Sequence, residues 1–145
     1  MKTITKNRRG TYDYEILETH VCGMVLVGTE IKNIKINKVS INEAYCFIDN
    51  NEIFIKGMFI EQHKETSNRL NHNPTRDRKL LMKKKEIVKL FESSSQKGLT
   101  IIPLEVFISD TGFIKLKIGL GKGKKSYDKR VSIKKKDLDR DMQRK

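Results

Sequence analysis

The side chains with the clearest chemical capacity in this chain are cations, and they are concentrated rather than scattered. In residues 118–130, reading I-G-L-G-K-G-K-K-S-Y-D-K-R, Lys122, Lys124, Lys125, Lys129 and Arg130 surround one aromatic, Tyr127. Cations meet phosphates and a flat ring stacks on bases, so the combination suits nucleic acid. Two further basic clusters stand upstream: Asn7-Arg8-Arg9, and Arg76, Arg78, Lys79, Lys83, Lys84 and Lys85. One such cluster is ordinarily a solvated surface run. Three of them, each beside an aromatic or a turn, on a chain of 31 basic and 18 acidic residues, form an electrostatic footprint for a polyanion.

The competing chemistries fit less well. A membrane surface is also a polyanion, but no apolar run approaches spanning length, and no segment pairs a broad apolar helical face with a lysine face. His20, His63 and His72 have no Glu or Cys at ligand spacing, so a core or loop role is expected and no metal. Gly119-x-Gly121-x-Gly123 follows a strand pattern, but no apolar helix follows it, so a dinucleotide-cradling loop fails its context. Cys22 and Cys46 lack any C-x-x-C spacing and read as reduced core thiols of a cytosolic protein. The start of the chain lacks the apolar core of a secretory signal. No nucleophile–base pairing is visible, so neither catalysis nor a cofactor is expected.

The elements that must position these cations follow from periodicity. Residues 1–11 are polar and basic and read as a loosely ordered arm, with residues 12–121 as the folded body and 122–145 as a tail. Tyr12, Tyr14 and Ile16 alternate with acids as a first strand. Residues 24–27 are a new strand, or the first one resumed after a bend at Gly23. Residues 29–36 carry helical spacing, with Thr29 as N-cap and Asn37 closing the helix in the left-handed region. Residues 44–48 and 53–60 form a hairpin through the polar turn 49–52. After a loop over 61–75, the spacing of Leu80, Lys84, Ile87 and Phe91 predicts one long helix over 75–97, stopped by Gly98. Residues 99–108 and 113–120 pair through the turn 109–112, and Pro103 marks an edge or a bulge. These elements predict a mainly β fold, an antiparallel β-barrel of the oligonucleotide-binding type with one short and one long flanking helix. Residues 122–145 hold eleven Lys or Arg and four Asp and too few apolar residues to fold alone, so they are expected to be disordered. Scattered basic loops on a barrel, without a helix-turn-helix, favour a folded RNA over duplex DNA.

Four motifs in order resemble the small protein B family, the partners of transfer-messenger RNA in bacterial ribosome rescue. They are Gly23-x-x-Leu26-x-Gly28-Thr29-Glu30-Ile31-Lys32; Asn71-His72-Asn73-Pro74-Thr75-Arg76-Asp77-Arg78-Lys79-Leu80-Leu81; Lys97-Gly98-Leu99-Thr100; and Gly121-Lys122-Gly123-Lys124-Lys125-Ser126-Tyr127-Asp128-Lys129-Arg130. The resemblance implies a non-enzymatic, cytoplasmic, monomeric barrel that binds the tRNA-like domain of transfer-messenger RNA. It implies RNA contacts at Asn7, Arg8, Arg9, Tyr12, Lys32, Asn71, His72, Arg76, Arg78, Lys79 and Lys83. Gly123, Lys124, Lys125, Tyr127, Asp128, Lys129 and Arg130 would belong to a tail entering the small-subunit decoding region of the ribosome. The chain departs from the family pattern at several places. Tyr12 and Tyr127 stand where the family usually has His, Val21 replaces an acid, Lys83 replaces His or Asn, and Asn37 replaces Gly. A structural ribosomal protein or initiation-type factor on the same barrel is the alternative reading, and an RNA-processing enzyme a third.

Overall fold

The computed structural model describes residues 1–124; of the tail expected to be disordered over 122–145, Lys122 and Gly123 instead continue the last strand, and residues from 125 on lie outside the described residues. Along the chain run β1 (Lys2–Lys6), α1 (Arg8–Asp13), β2 (Tyr14–Met24), α2 (Gly28–Lys35), β3 (Val39–Ser40), β4 (Tyr45–Asp49), β5 (Glu52–Lys56) and β6 (Phe59–Ile60). β7 (Arg78–Leu81), α3 (Lys84–Gln96), β8 (Thr100–Ile108) and β9 (Ile114–Gly123) follow. Seven strands form one sheet in the order β1-β8-β9-β2-β7-β5-β4, and β3 pairs with β6 separately. All these pairings are antiparallel. β4, at one edge, packs close to β8 near the other, so the sheet curls over its own apolar face. The mainly β antiparallel expectation therefore holds. The curl is finished by packing, since no hydrogen-bonded ladder joins the two edge strands among the described residues.

The interior follows from alternation. On β9, Leu116, Ile118 and Leu120 are buried while Lys115 and Lys117 are half-buried on the other face. Ile34, Ile41, Ile53, Ile55, Met58, Ile60, Leu80 and Val106 complete the core against them. Turn chemistry sets the registers. Asn50 and Asn51 take φ of 49° and 63°, the left-handed pair that a two-residue hairpin needs between β4 and β5. Asn37 closes α2 at φ 63° as expected. The bulge expected at Pro103 is present, as a register shift against β9 between Pro103 and Glu105, on a strand paired on both sides.

Three expectations are corrected. Residues 1–11 are not a loose arm. β1 pairs with β8 over Lys2–Lys6, and Asn7 is buried as the N-cap of α1, which carries Tyr12 in place of a first strand. The Asn7 amide accepts from the Gly10 N–H at 2.9 Å and donates to the Pro103 carbonyl at 2.8 Å, which ties this start to the body. Residues 14–24 are one continuous strand without a break at Gly23, with a bulge between Ile16 and Glu18. The long helix over 75–97 is two elements. Arg78–Leu81 is the strand β7 that joins β2 to β5, and α3 begins only at Lys84. Its buried residues are Ile87 and Leu90, while Phe91 stays exposed. Sheet pairing on both sides outweighs helical spacing over so few residues.

Gly57, between β5 and β6, combines φ of 81° with a position where a Cβ would sit 2.8 Å from the Glu43 carbonyl oxygen. That neighbour is backbone and cannot swing aside. Gly57→Ala is expected to lower unfolding free energy by about 1–3 kcal/mol. Urea titration of the two proteins checks this, and coincident midpoints would mean the corner has room.

Candidate nucleic-acid interface

The basic cluster that begins at Arg76 is positioned by Glu30, a fully buried residue in the first turn of α2. Its Oε1 accepts the Val27 N–H at 2.9 Å, closing the helix start, so the N-cap is Val27 and not Thr29. The same oxygen accepts from Arg76 Nη2 at 2.6 Å, and Oε2 accepts from Arg78 Nε at 2.6 Å. The rest of the Arg78 guanidinium donates to the carbonyls of Met58, Asn73 and Pro74. Burial by itself would raise the Glu30 carboxyl, but the Arg76 hydrogen bond, the Val27 N–H and Arg78 hold it below the usual glutamate range. Burial also pulls the Arg78 guanidinium down from its ordinary value, against the attraction of Glu30.

The residues expected to touch RNA divide by exposure. Arg78 is 0% exposed and its guanidinium donates to the Glu30 carboxylate and to backbone carbonyls, so it holds the fold together and has no face to offer a phosphate. His72 is buried too. Its Nε2 donates to the Ile60 carbonyl at 2.8 Å, which leaves Nδ1 for the Thr29 hydroxyl at 2.8 Å. Asn71 ties the 61–75 loop to itself, accepting from the His63 and His72 N–H groups and donating to the His63 carbonyl. Asn7 is consumed as a cap. Of the rest, Arg8, Arg9, Lys32 and Lys83 are exposed, and Tyr12, Arg76, Lys79 and Lys124 are half-buried. Arg9 leans on Glu43 at 2.8 Å and Lys79 on Glu52 at 3.3 Å, both surface pairs that a phosphate could displace at little cost. Gly123 ends β9, and Lys125, Tyr127, Asp128, Lys129 and Arg130 lie outside the described residues.

β2 separates the accessible cations into two groups. At its start, Tyr14 pairs with Gly123, the Lys124 N–H donates to the Asp13 carbonyl at 2.9 Å, and Lys124 Nζ donates to the Thr11 carbonyl. The root of the tail is thus fastened to α1, beside Arg8, Arg9 and Tyr12. At the far end, Gly23 and Met24 pair with Leu81 and Leu80, next to α2 and β7 with Lys32, Arg76, Lys79 and Lys83. Ten residue steps of strand put about 30 Å between the two ends. Three features escaped sequence reading: the Glu30 anchor, the α1 cap and the exposed face formed by Val21 and Leu81 beside Gly23. Glu30 sits in a motif, but nothing in its spacing to Arg78 marks them as partners.

The model of the SmpB protein family matches residues 4–145. This chain belongs to that family. It is 52% identical over 139 residues to the SsrA-binding protein of Cytophaga hutchinsonii, covering 96% of this chain and 90% of that one. The SsrA-binding proteins of Flavobacterium johnsoniae and Thermosynechococcus vestitus are similar at 46% and 42% identity, over 95% and 99% of this chain and 91% and 94% of theirs. A solved structure described as "tmRNA-SmpB: a journey to the center of the bacterial ribosome" contains a chain that superposes with a TM-score of 0.69 at 37% identity, covering 84% of this chain and 85% of that one. Within the family pattern, the Val21 departure lies on the exposed face of β2 opposite Lys117, and Lys83 is the exposed N-cap of α3. Tyr12 lies on α1, away from both.

Among the described residues, no group of three or more His, Cys, Asp or Glu could hold a metal ion, and no helix is long and apolar enough to cross a membrane. Burial pushes the Cys22 thiol up to about 12 and that of Cys46 upward as well, so neither is a ready thiolate.

Glu30→Gln would leave the buried Arg78 cation unpaired, and is expected to cost about 3–5 kcal/mol of stability at neutral pH. The folded-state value of Glu30 is depressed, so its contribution is full above the ordinary glutamate pKa of about 4.3 and is lost as pH falls through the lowered folded value. The gap between wild type and Glu30→Gln should therefore close on acidification. Denaturant titrations across pH check this, and a gap that stays constant down to the acid transition would refute the linkage.

Proposed function

We propose that the chain is a non-enzymatic RNA-binding protein that binds the tRNA-like domain of transfer-messenger RNA and delivers it to stalled ribosomes in the cytoplasm. The observation that carries this is the family match over residues 4–145, joined to the likeness with the chain in the tmRNA-SmpB structure. The arrangement of charge supports it physically. Cations accessible at both ends of β2 suit a ligand whose phosphates are spread over tens of ångströms, as they are on a folded RNA.

In this reading the body grips RNA with Lys32, Lys79, Lys83 and the outward part of Arg76. Arg8, Arg9 and Tyr12 on α1 add a second grip beside the root of the tail. Phosphate contacts of this kind position the RNA, and ring stacking adds short-range preference. Asn7, Asn71, His72 and Arg78 act indirectly, by fixing the α1 cap, the 61–75 loop and the α2–β7 junction on which the contacting residues stand. Residues from Lys125 on carry the tail function, with Tyr127 as the stacking ring among Lys125, Lys129 and Arg130.

Replacing Lys32, Lys79 and Lys83 with Gln should weaken binding of a tRNA-like domain transcript and lower the salt slope by about 0.7–0.9 per lost phosphate contact. Filter binding at several salt concentrations measures both. Unchanged affinity and slope would remove this end of β2 from the RNA site. The tail is tested separately. Tyr127→Ala is expected to keep RNA affinity yet slow peptide tagging on stalled ribosomes, and Tyr127→His to restore it through its flat ring. Loss of RNA affinity in Tyr127→Ala, or full tagging without the ring, would overturn the division between body and tail.

A further inference from the structure

Between α2 and the turn joining β8 to β9 lies an open recess of about 310 Å³. Met24, Leu26, Ile31 and Ile114 make it apolar, and the lining includes two exposed residues of different character, Phe113 and Lys35. Phe113 is 66% exposed, a large ring left in water beside unfilled apolar surface. Gly112 keeps the approach clear, since a Cβ there would meet nothing within 4 Å, and its φ of 88° excludes most side chains from that place. None of the residues lining the recess is acidic.

A flat apolar surface next to a cation matches a particular ligand shape: one planar, weakly polar group joined to an anion. We propose that the recess receives one unstacked nucleotide of transfer-messenger RNA, with its base against Phe113 and its phosphate on Lys35. This rests on the functional reading above. An apolar protein side chain could also fill the floor, but it would leave Lys35 unanswered, and a chain of net charge +13 draws polyanions first. The recess is also continuous with the RNA-facing end of β2. Met24 is the last residue of that strand and pairs with Leu80, and Arg76 donates to the Val25 carbonyl between Met24 and Leu26. Lys32 and Lys35 stand one turn apart on α2. Unpaired nucleotides that splay from a folded RNA are what proteins commonly capture by stacking.

The test uses full-length protein and a full-length transfer-messenger RNA transcript, with an unrelated structured RNA of equal length as reference. Phe113 is exposed at a turn, so its replacement should leave the fold intact, and thermal melts confirm that for each variant. Phe113→Ala is expected to weaken binding by about 5- to 150-fold with an unchanged salt slope, because no phosphate contact is lost. Phe113→Tyr should bind like wild type, while Phe113→Leu, apolar but without a π face, should stay weak. Lys35→Gln should lower the slope by about 0.7–0.9. Wild-type affinity in Phe113→Ala or in Phe113→Leu would overturn the stacking site. Impaired tagging with wild-type RNA affinity would assign the recess to the ribosome and overturn the proposal as stated. Wild-type protein that fails to distinguish transfer-messenger RNA from the reference RNA would overturn the functional reading, and the recess with it.

Discussion

The carboxylate of Glu30 is fully enclosed and meets two guanidiniums at 2.6 Å each. Removing the Glu30 and Arg78 charges from water is expensive, and the mutual attraction repays it only when the remaining donors are also met. Here Arg78 finds carbonyls on the β5–β6 corner and on the 71–76 loop, so one side chain joins α2, β7 and that loop at a single point. Losing either partner of such a pair would strand a buried charge. With Arg78 turned inward, strand alternation turns Lys79 outward, and with Glu30 inward the α2 surface presents Lys32 and Lys35. The outward placement of Lys32, Lys35 and Lys79 therefore goes with one inner contact.

The second constraint is the close approach of backbone around β9. A Cβ at Gly119 would lie 2.8 Å from Leu104 Cδ1, and one at Gly121 would lie 2.8 Å from Ile102 Cδ1 and 3.0 Å from Tyr14 Cβ. Side chains from β8 and β2 thus cross over a strand that has none of its own there. Gly10 sits as tightly against Asn7 and Ile102, which brings α1 down onto the same surface. Gly119 and Gly121 of β9 thus make room for side chains of β8 and β2.

This explains which parts were legible in the sequence. Alternation on β9, the asparagine turn between β4 and β5, Asn37 at the end of α2 and the bulge at Pro103 depend on neighbours in the chain, and they read correctly. Arg78 did not, because a cation in a basic cluster looks solvated until its carboxylate partner, 48 residues earlier, is seen to be buried with it. The four residues of β7 carry no periodicity that separates strand from helix; their pairing with β2 and β5 decides it. Residues 1–11 read as an arm from their polarity, since the buried face of α1 is Gly10 and the capping amide of Asn7, neither of which is apolar. The exposed cations at the two ends of β2 were identified by type and spacing. Their separation needed the strand between them, including its bulge.

That separation governs how the charges act together. At physiological ionic strength exposed charges are screened from one another over about 8 Å, far less than the roughly 30 Å between the ends of β2. The group around Lys32 and Lys79 and the group around Arg8 and Arg9 therefore do not form one continuous field at contact range. On the proposed reading, each meets its own phosphates. A short oligonucleotide can answer one group, whereas an RNA long and rigid enough to reach both converts the second contact into an intramolecular step. On the proposed reading, selection among RNAs follows from shape and span more than from base identity. On the same reading, an RNA held at both ends of β2 also fixes the position of Lys124, which is fastened to α1 through the Asp13 and Thr11 carbonyls.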